Sequence, residues 1–179
     1  MDHGLRQVLE SQTLIKLLWD CRGDAEVLRD TFDVALTNVV DIQILYYEKH
    51  TPGNDRLPGF VRALEDAPIA SVRESNGAVK IKRQGKETLD RMDQRPLTEA
   101  LVNYCAVDIM YLHRMWYGWS NVLEEDHLAH ICSWRLGQGR GAGPLCDFKH
   151  LLEPEIKRQF DPEVIDFDWY DGPDPIEYG

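Results

Sequence analysis

Two residues four positions apart open the chemistry of this chain. Tyr104 and Asp108 lie in the segment Leu101-Val102-Asn103-Tyr104-Cys105-Ala106-Val107-Asp108-Ile109-Met110-Tyr111-Leu112. Residues at i and i+4 share one helix face, so the phenol and the carboxylate point the same way. A carboxylate beside a phenol can hold a divalent metal and orient a water on it. A further acid, Asp24, lies far upstream in Lys16-Leu17-Leu18-Trp19-Asp20-Cys21-Arg22-Gly23-Asp24-Ala25-Glu26-Val27-Leu28. There an apolar run stops at a short turn, and a helix is expected to open near Asp24. Asp20, at the end of the run, competes with it as a candidate ligand.

The elements that must position these side chains read as an α/β layer. Gly4 to Ser11 has the spacing of a helix end, with Leu5, Val8 and Leu9 on one face. Leu14 to Trp19 is apolar apart from Lys16, which suits a strand buried on both faces of a parallel sheet. Asp24 to Phe32 predicts a helix with Ala25, Leu28 and Phe32 inward. Val39 to Asp41 predicts a short strand, and Ile42 to Tyr47 begins another helix. Strand, helix, strand, helix is the pattern of an α/β fold. Thr51 to Asp55 is a loop, and Leu57 to Glu65 and Ala78 to Met92 read as helices. The segment from Pro96 to Trp119 predicts one long helix with Pro96 in its first turn. Leu123 to Leu136 continues helical.

Asp24, Tyr104 and Asp108 resemble the second and third motifs of the DEDD exonucleases, in the subclass with a tyrosine in motif three. The segments are most similar to ribonuclease D-like 3'-5' exonuclease domains of the fungal type. Asp24 matches the acid that follows an apolar strand and opens a helix. Tyr104 and Asp108 match Tyr-x-x-x-Asp. Asp41-Ile42-Gln43 resembles the family's strand ending in Asp-x-Gln, and Leu57-Pro58-Gly59-Phe60 and Arg95-Pro96-Leu97 also have counterparts. The resemblance spans roughly Gly4 to Glu124. It implies a ribonuclease H-like α/β layer, N-terminally incomplete with its opening strands missing, and a helix-rich C-terminal half. It also implies metal-dependent hydrolysis of phosphodiesters from the 3' end of a single-stranded DNA or RNA. Asp24 and Asp108 would be metal ligands for Mg²⁺ or Mn²⁺, and Asp24, Tyr104 and Asp108 the catalytic set.

One motif is missing. The family's first motif is Asp-x-Glu, and neither Asp2 nor Glu10 lies in one. Two of the four expected ligands are absent, so the expectation is a truncated exonuclease or a non-catalytic relative. The latter would bind nucleic acid or a protein. The alternative to both is an interaction module acting through the acidic tail. An apolar strand lacking its neighbour would offer its edge to a second copy or to a strand-donating partner.

Composition sets the outer bounds. The chain has 179 residues, 43% hydrophobic and 28% charged, which suits one globular domain with a tail. Residues 1–136 are expected to form the partial exonuclease domain, and 137–179 a Gly-rich linker and acidic tail. The net charge of −11 argues against tight metal-free binding of nucleic acid, although residues 161–179 hold many acids and no Lys or Arg. The cysteines, Cys21, Cys105, Cys132 and Cys146, form no Cys-x-x-Cys, and reduced thiols in an intracellular protein are expected. No apolar run approaches the ~20 residues of a membrane span.

Several other features read blandly. Lys80, Lys82, Arg83 and Lys86 could touch phosphates but read better as a solvated helix face. His127 and His130 are commoner as plain helix residues than as a metal pair. Asp41 reads as supporting polar structure. Gly137 to Gly143 lacks the ending of a phosphate loop, and Trp169-Tyr170 is a candidate docking pair in the tail.

Overall fold

The computed structural model describes residues 3–66 and 71–138. The chain divides into two units, residues 1–148 and 149–179. The second unit, with the Trp169-Tyr170 pair and most of the acidic tail, lies outside the described residues, as does the linker beyond Gln138.

Among the described residues, ten elements and one 3-10 turn follow in order. They are α1 (His3–Leu9), β1 (Lys16–Leu18), α2 (Cys21–Phe32), β2 (Val39–Asp41), α3 (Ile42–His50), α4 (Phe60–Asp66) and α5 (Val72–Gly85). The 3-10 turn Lys86–Arg91 leads on to α6 (Glu99–Met110), α7 (Leu112–Trp119) and α8 (Glu125–Leu136). β1 and β2 pair in parallel, with Lys16 opposite Val39, Leu17 opposite Val40 and Leu18 opposite Asp41. Helix α2 is the crossover between them, as a parallel pair requires. Every residue of β2 is buried, and so is α3 from Ile42 to Tyr47. This unbroken buried run is the centre of the fold. Around Tyr46 the rings of Trp19, Trp119 and His50 gather at centroid distances of 5.9, 5.6 and 4.8 Å. Phe60 packs on Trp19 at 5.2 Å.

Several expectations change. The helix expected to open near Asp24 starts at Cys21, and the one expected over Ala78 to Met92 runs Val72–Gly85 and ends in the 3-10 turn Lys86–Arg91. The strand predicted over Leu14 to Trp19 is only three residues long. Leu14 and Ile15 are exposed, and Lys16 to Leu18 are half-buried rather than covered on both faces. Phe32, expected inward, is exposed at the last turn of α2. The long helix from Pro96 to Trp119 is two helices. Thr98 is the N-cap of α6, its side chain accepting from the Leu101 N–H, so Pro96 precedes the helix instead of opening it. Tyr111 then separates α6 from α7. Among the described residues no helix is long and apolar enough to cross a membrane.

A buried carboxylate ties these elements together. Asp41 is fully buried and accepts from the backbone N–H groups of Asp20 (2.9 Å), Cys21 (3.2 Å) and Gln43 (3.1 Å). It therefore satisfies the opening turns of both α2 and α3, whose first N–H groups have no partner within the helix. Arg135 of α8 donates to Asp41 through Nε at 2.8 Å, and through its terminal nitrogen to Asp20 and to the Gln43 amide oxygen, each at 2.9 Å. Burial alone would lower the Arg135 pKa; the charges of Asp41 and Asp20 outweigh it and raise it. Sequence reading took Asp41 as supporting polar structure, and this network agrees with it.

Two thiols share that interior. Burial pushes Cys132 up to about 12, and Cys21 higher still. A free thiol titrates at about 8.5. Folding thus favours the neutral thiols, and the stability this contributes is present below that pH and lost as pH rises past it. A maleimide pulse at mildly alkaline pH should label half-exposed Cys105 while sparing Cys21 and Cys132, and should label all three in urea. Native labelling of Cys132 at the rate of Cys105 would contradict the packing of α8 on β2.

Candidate active site on helix α6

Tyr104 and Asp108 lie on α6, both partly exposed, and the Asp108 side chain is 47% exposed. Helix α5 packs closely against this face. Its inner stripe is Ser75, Ala78, Val79, Lys82 and Gly85, all buried. This spacing of three and four is that of one helix face. Gly85 lies against Tyr104, and Lys82, a turn earlier on α5, meets Asp108, a turn later on α6. The helices therefore run antiparallel at the contact.

The contact depends on Gly85. A Cβ placed there would lie 2.5 Å from Tyr104 Cδ2 and 2.7 Å from Tyr104 Cβ. The Cβ of Tyr104 is fixed to its backbone, so the helices would have to part. Lys82 is only 6% exposed. Its Nζ donates to Asp108 Oδ1 at 2.6 Å and lies 3.3 Å from the centroid of the Tyr104 ring. A buried ammonium demands a counter-charge, and here the carboxylate and the ring face both supply it.

Sequence reading placed Lys82 in a solvated basic face, and that is corrected here. Lys80, Arg83 and Lys86 are exposed, but Lys82 turns inward. The signal was available in the spacing, since Lys82 continues the stripe of Ala78 and Val79. Arg135 was also missed. Its partner Asp41 is 94 residues away, and no local pattern links them.

Asp24 is exposed in the first turn of α2. α2 packs on α8, whereas α6 packs on α5 and α7. Asp20, the competing candidate, is engaged by Arg22 at 2.7 Å and by Arg135. His127 is buried and His130 exposed. Among the described residues no group of three or more His, Cys, Asp or Glu side chains is placed to hold a metal ion. A two-metal centre needs enough carboxylates to offset two cations about 3.5–4 Å apart. The described residues do not fit one, because Asp108 already holds an ammonium. A cavity of about 460 Å³ lies between α2 and α8 and is lined by Arg29, Val34, Asn38, Ser133 and Leu136. It contains none of the three candidate residues.

The 3'-5' exonuclease family matches residues 1–124, more than half of the chain. The chain belongs to the 3'-5' exonuclease domain family. This exonuclease domain is 24% identical over 164 residues to piRNA biogenesis protein EXD1 of Xenopus laevis, covering 88% of this chain and 36% of the relative. It is 23% identical over 117 residues to the Homo sapiens protein of that name, covering 62% of this chain and 22% of the relative. The chain thus spans about a third or less of the length of these curated relatives. Among solved structures, Trypanosoma brucei RNase D superimposes with a TM-score of 0.64 at 20% identity, covering 85% of this chain and 57% of that one. Its complex with RNA U12 gives 0.62 at 16%, covering 80% of this chain and 48% of that one. The fold is therefore the RNase D-like α/β exonuclease fold, as the resemblance implied.

The close approach at Gly85 yields a paired test in one helix. Gly85→Ala should cost about 1–3 kcal/mol through overpacking. Gly77→Ala, with nothing within 4 Å, should stabilise by about 0.5–1 kcal/mol. Urea midpoints measure both. Gains of equal size at the two positions would contradict the packing of Tyr104 on α5.

Proposed function

We propose that this exonuclease-type domain takes up the 3' end of a single-stranded nucleic acid on the α6 face that carries Tyr104 and Asp108. The observation that carries this reading is the matched pair itself: Tyr-x-x-x-Asp on one partly exposed helix face, in an RNase D-like fold. Tyr104 would offer its ring edge and hydroxyl to the terminal nucleotide. Asp24 and Asp108 are the positions at which the complete family domain would face a Mg²⁺ or Mn²⁺ ion; in this chain Lys82 answers Asp108 instead.

Hydrolysis by the chain as given is proposed to be weak or absent. Its sequence contains no Asp-x-Glu motif upstream of Asp24, and Asp108 is engaged by Lys82. That engagement favours a second reading, a domain that binds nucleic acid without cutting it. The likeness to an RNase D seen with RNA supports RNA as the first substrate to try. The buried free thiols Cys21 and Cys132 support an intracellular setting. Along the edge of β1 away from β2, next to exposed Leu14 and Ile15, a second copy or another chain could add a strand.

The test uses 3'-labelled single-stranded RNA and DNA with Mn²⁺. Binding by fluorescence anisotropy without laddering is expected. Tyr104→Ala should weaken binding by about fivefold or more, the scale of one lost hydrogen bond. Robust laddering abolished by Asp108→Asn would overturn the non-cutting reading. Unchanged binding in a folded Tyr104→Ala would remove the α6 face as the site.

A further inference from the structure

We infer that Lys82 is the resident cation of this site. It holds Asp108 as an internal ion pair and keeps divalent metal off that carboxylate at millimolar concentrations. The inference rests on reading Asp108 as the motif-three acid and goes beyond it, by naming the residue of this chain that decides whether metal binds.

Three observations carry it. Lys82 belongs to the buried stripe of α5, so its ammonium is placed by packing rather than by chance solvation. It touches both motif-three residues at once, Asp108 Oδ1 at 2.6 Å and the Tyr104 ring at 3.3 Å. Gly85 then fixes the spacing of the two helices, since a Cβ there would collide with Tyr104. A divalent ion bound to Asp108 would sit within a few ångströms of a positive charge that has little room to leave. Like charges at that range repel strongly, and more so where water is excluded. The buried ammonium, in turn, cannot give up its carboxylate without being left unpaired. Lysine and metal are therefore alternatives at this one side chain.

The arrangement explains how an acid on the exposed α6 face can be kept without a metal. It also names what must change for metal to enter: the Lys82 side chain must withdraw, or its charge must be removed. Substitution by methionine keeps the length and apolar stem and removes only the cation, which suits a buried position.

Paramagnetic broadening by Mn²⁺ in amide NMR spectra of the full chain tests this, because it locates even weak binding. In the wild type, the amides from Ala106 to Met110 should stay sharp while Mn²⁺ at other surface acids broadens elsewhere. In Lys82→Met these amides should broaden at about fivefold less Mn²⁺ or lower, as loss of a neighbouring positive charge requires. Lys82→Arg should behave as the wild type, and Lys82→Met combined with Asp108→Asn should lose the gain. Broadening around Asp108 in the wild type, or none in folded Lys82→Met, would overturn the inference. Should Lys82→Met not fold, amine labelling of the wild type decides. Lys82 should react far more slowly than Lys80 and Lys86, with or without millimolar Mn²⁺. Labelling of Lys82 that rises to the level of Lys80 on adding Mn²⁺ would show that metal displaces it and would overturn the inference. RNA anisotropy on the same samples separates the two ideas. Loss of RNA binding in every form counts against the functional reading, whereas intact RNA binding with an unaltered Mn²⁺ profile counts against Lys82 alone.

Discussion

One buried ion pair organises the α/β part of this domain. The Asp41 carboxylate takes the first N–H groups of α2 and α3 and is held by Arg135 of α8. Arg135 also reaches Asp20 and Gln43, and Gln43 donates through Nε2 to the Pro58 carbonyl, just before α4. The end of each strand, the start of each following helix and the loop leading to α4 thus meet at one guanidinium. Such a pair is costly to bury, and it holds because nearly every lone pair and N–H has a partner. Replacing one member leaves a charge in the interior with nothing to answer it.

The candidate site depends on a different contact, which sits on helices the ion pair does not reach directly. α5 and α6 approach closely because Gly85 has no side chain, and that approach delivers Lys82 to Asp108. The domain therefore contains two acids of opposite use. Asp41 is fully buried and serves the fold. Asp108 is half exposed and is answered by a lysine on α5, apart from the sheet and its ion pair. On the proposed reading Asp108 is the acid that belongs to the chemistry, and burial and partners set it physically apart from Asp41.

Much of this was legible in the sequence because it is local. The apolar runs before Asp24 and at Val39 to Tyr47 gave the strands and the central helix, and Tyr-x-x-x-Asp fixed its own face by helical spacing. What was not legible is long-range or depends on a cap. Arg135 meets Asp41 across most of the domain, and nothing near either residue announces it. Thr98, not Pro96, starts α6 because its hydroxyl accepts from the Leu101 N–H. Leu14 and Ile15 are as apolar as a buried strand would be, yet they lie outside the three residues that pair with β2. Lys82 is the exception: its inward position was written in the stripe of Ala78, Val79 and Gly85. Its charge, and its basic neighbours, drew the reading to the surface.

Asp41 and Arg135 act as one unit on which the fold depends. A double-mutant cycle in urea tests it most directly, using Asp41→Asn, Arg135→Met and the pair. Each single change should cost about 3 kcal/mol or more, since each strands a buried partner. The coupling should be about 1.5 kcal/mol or more, because the double variant no longer buries an unpaired charge. Costs that add to within about 0.5 kcal/mol would contradict it and would mean that the two side chains stabilise the domain independently.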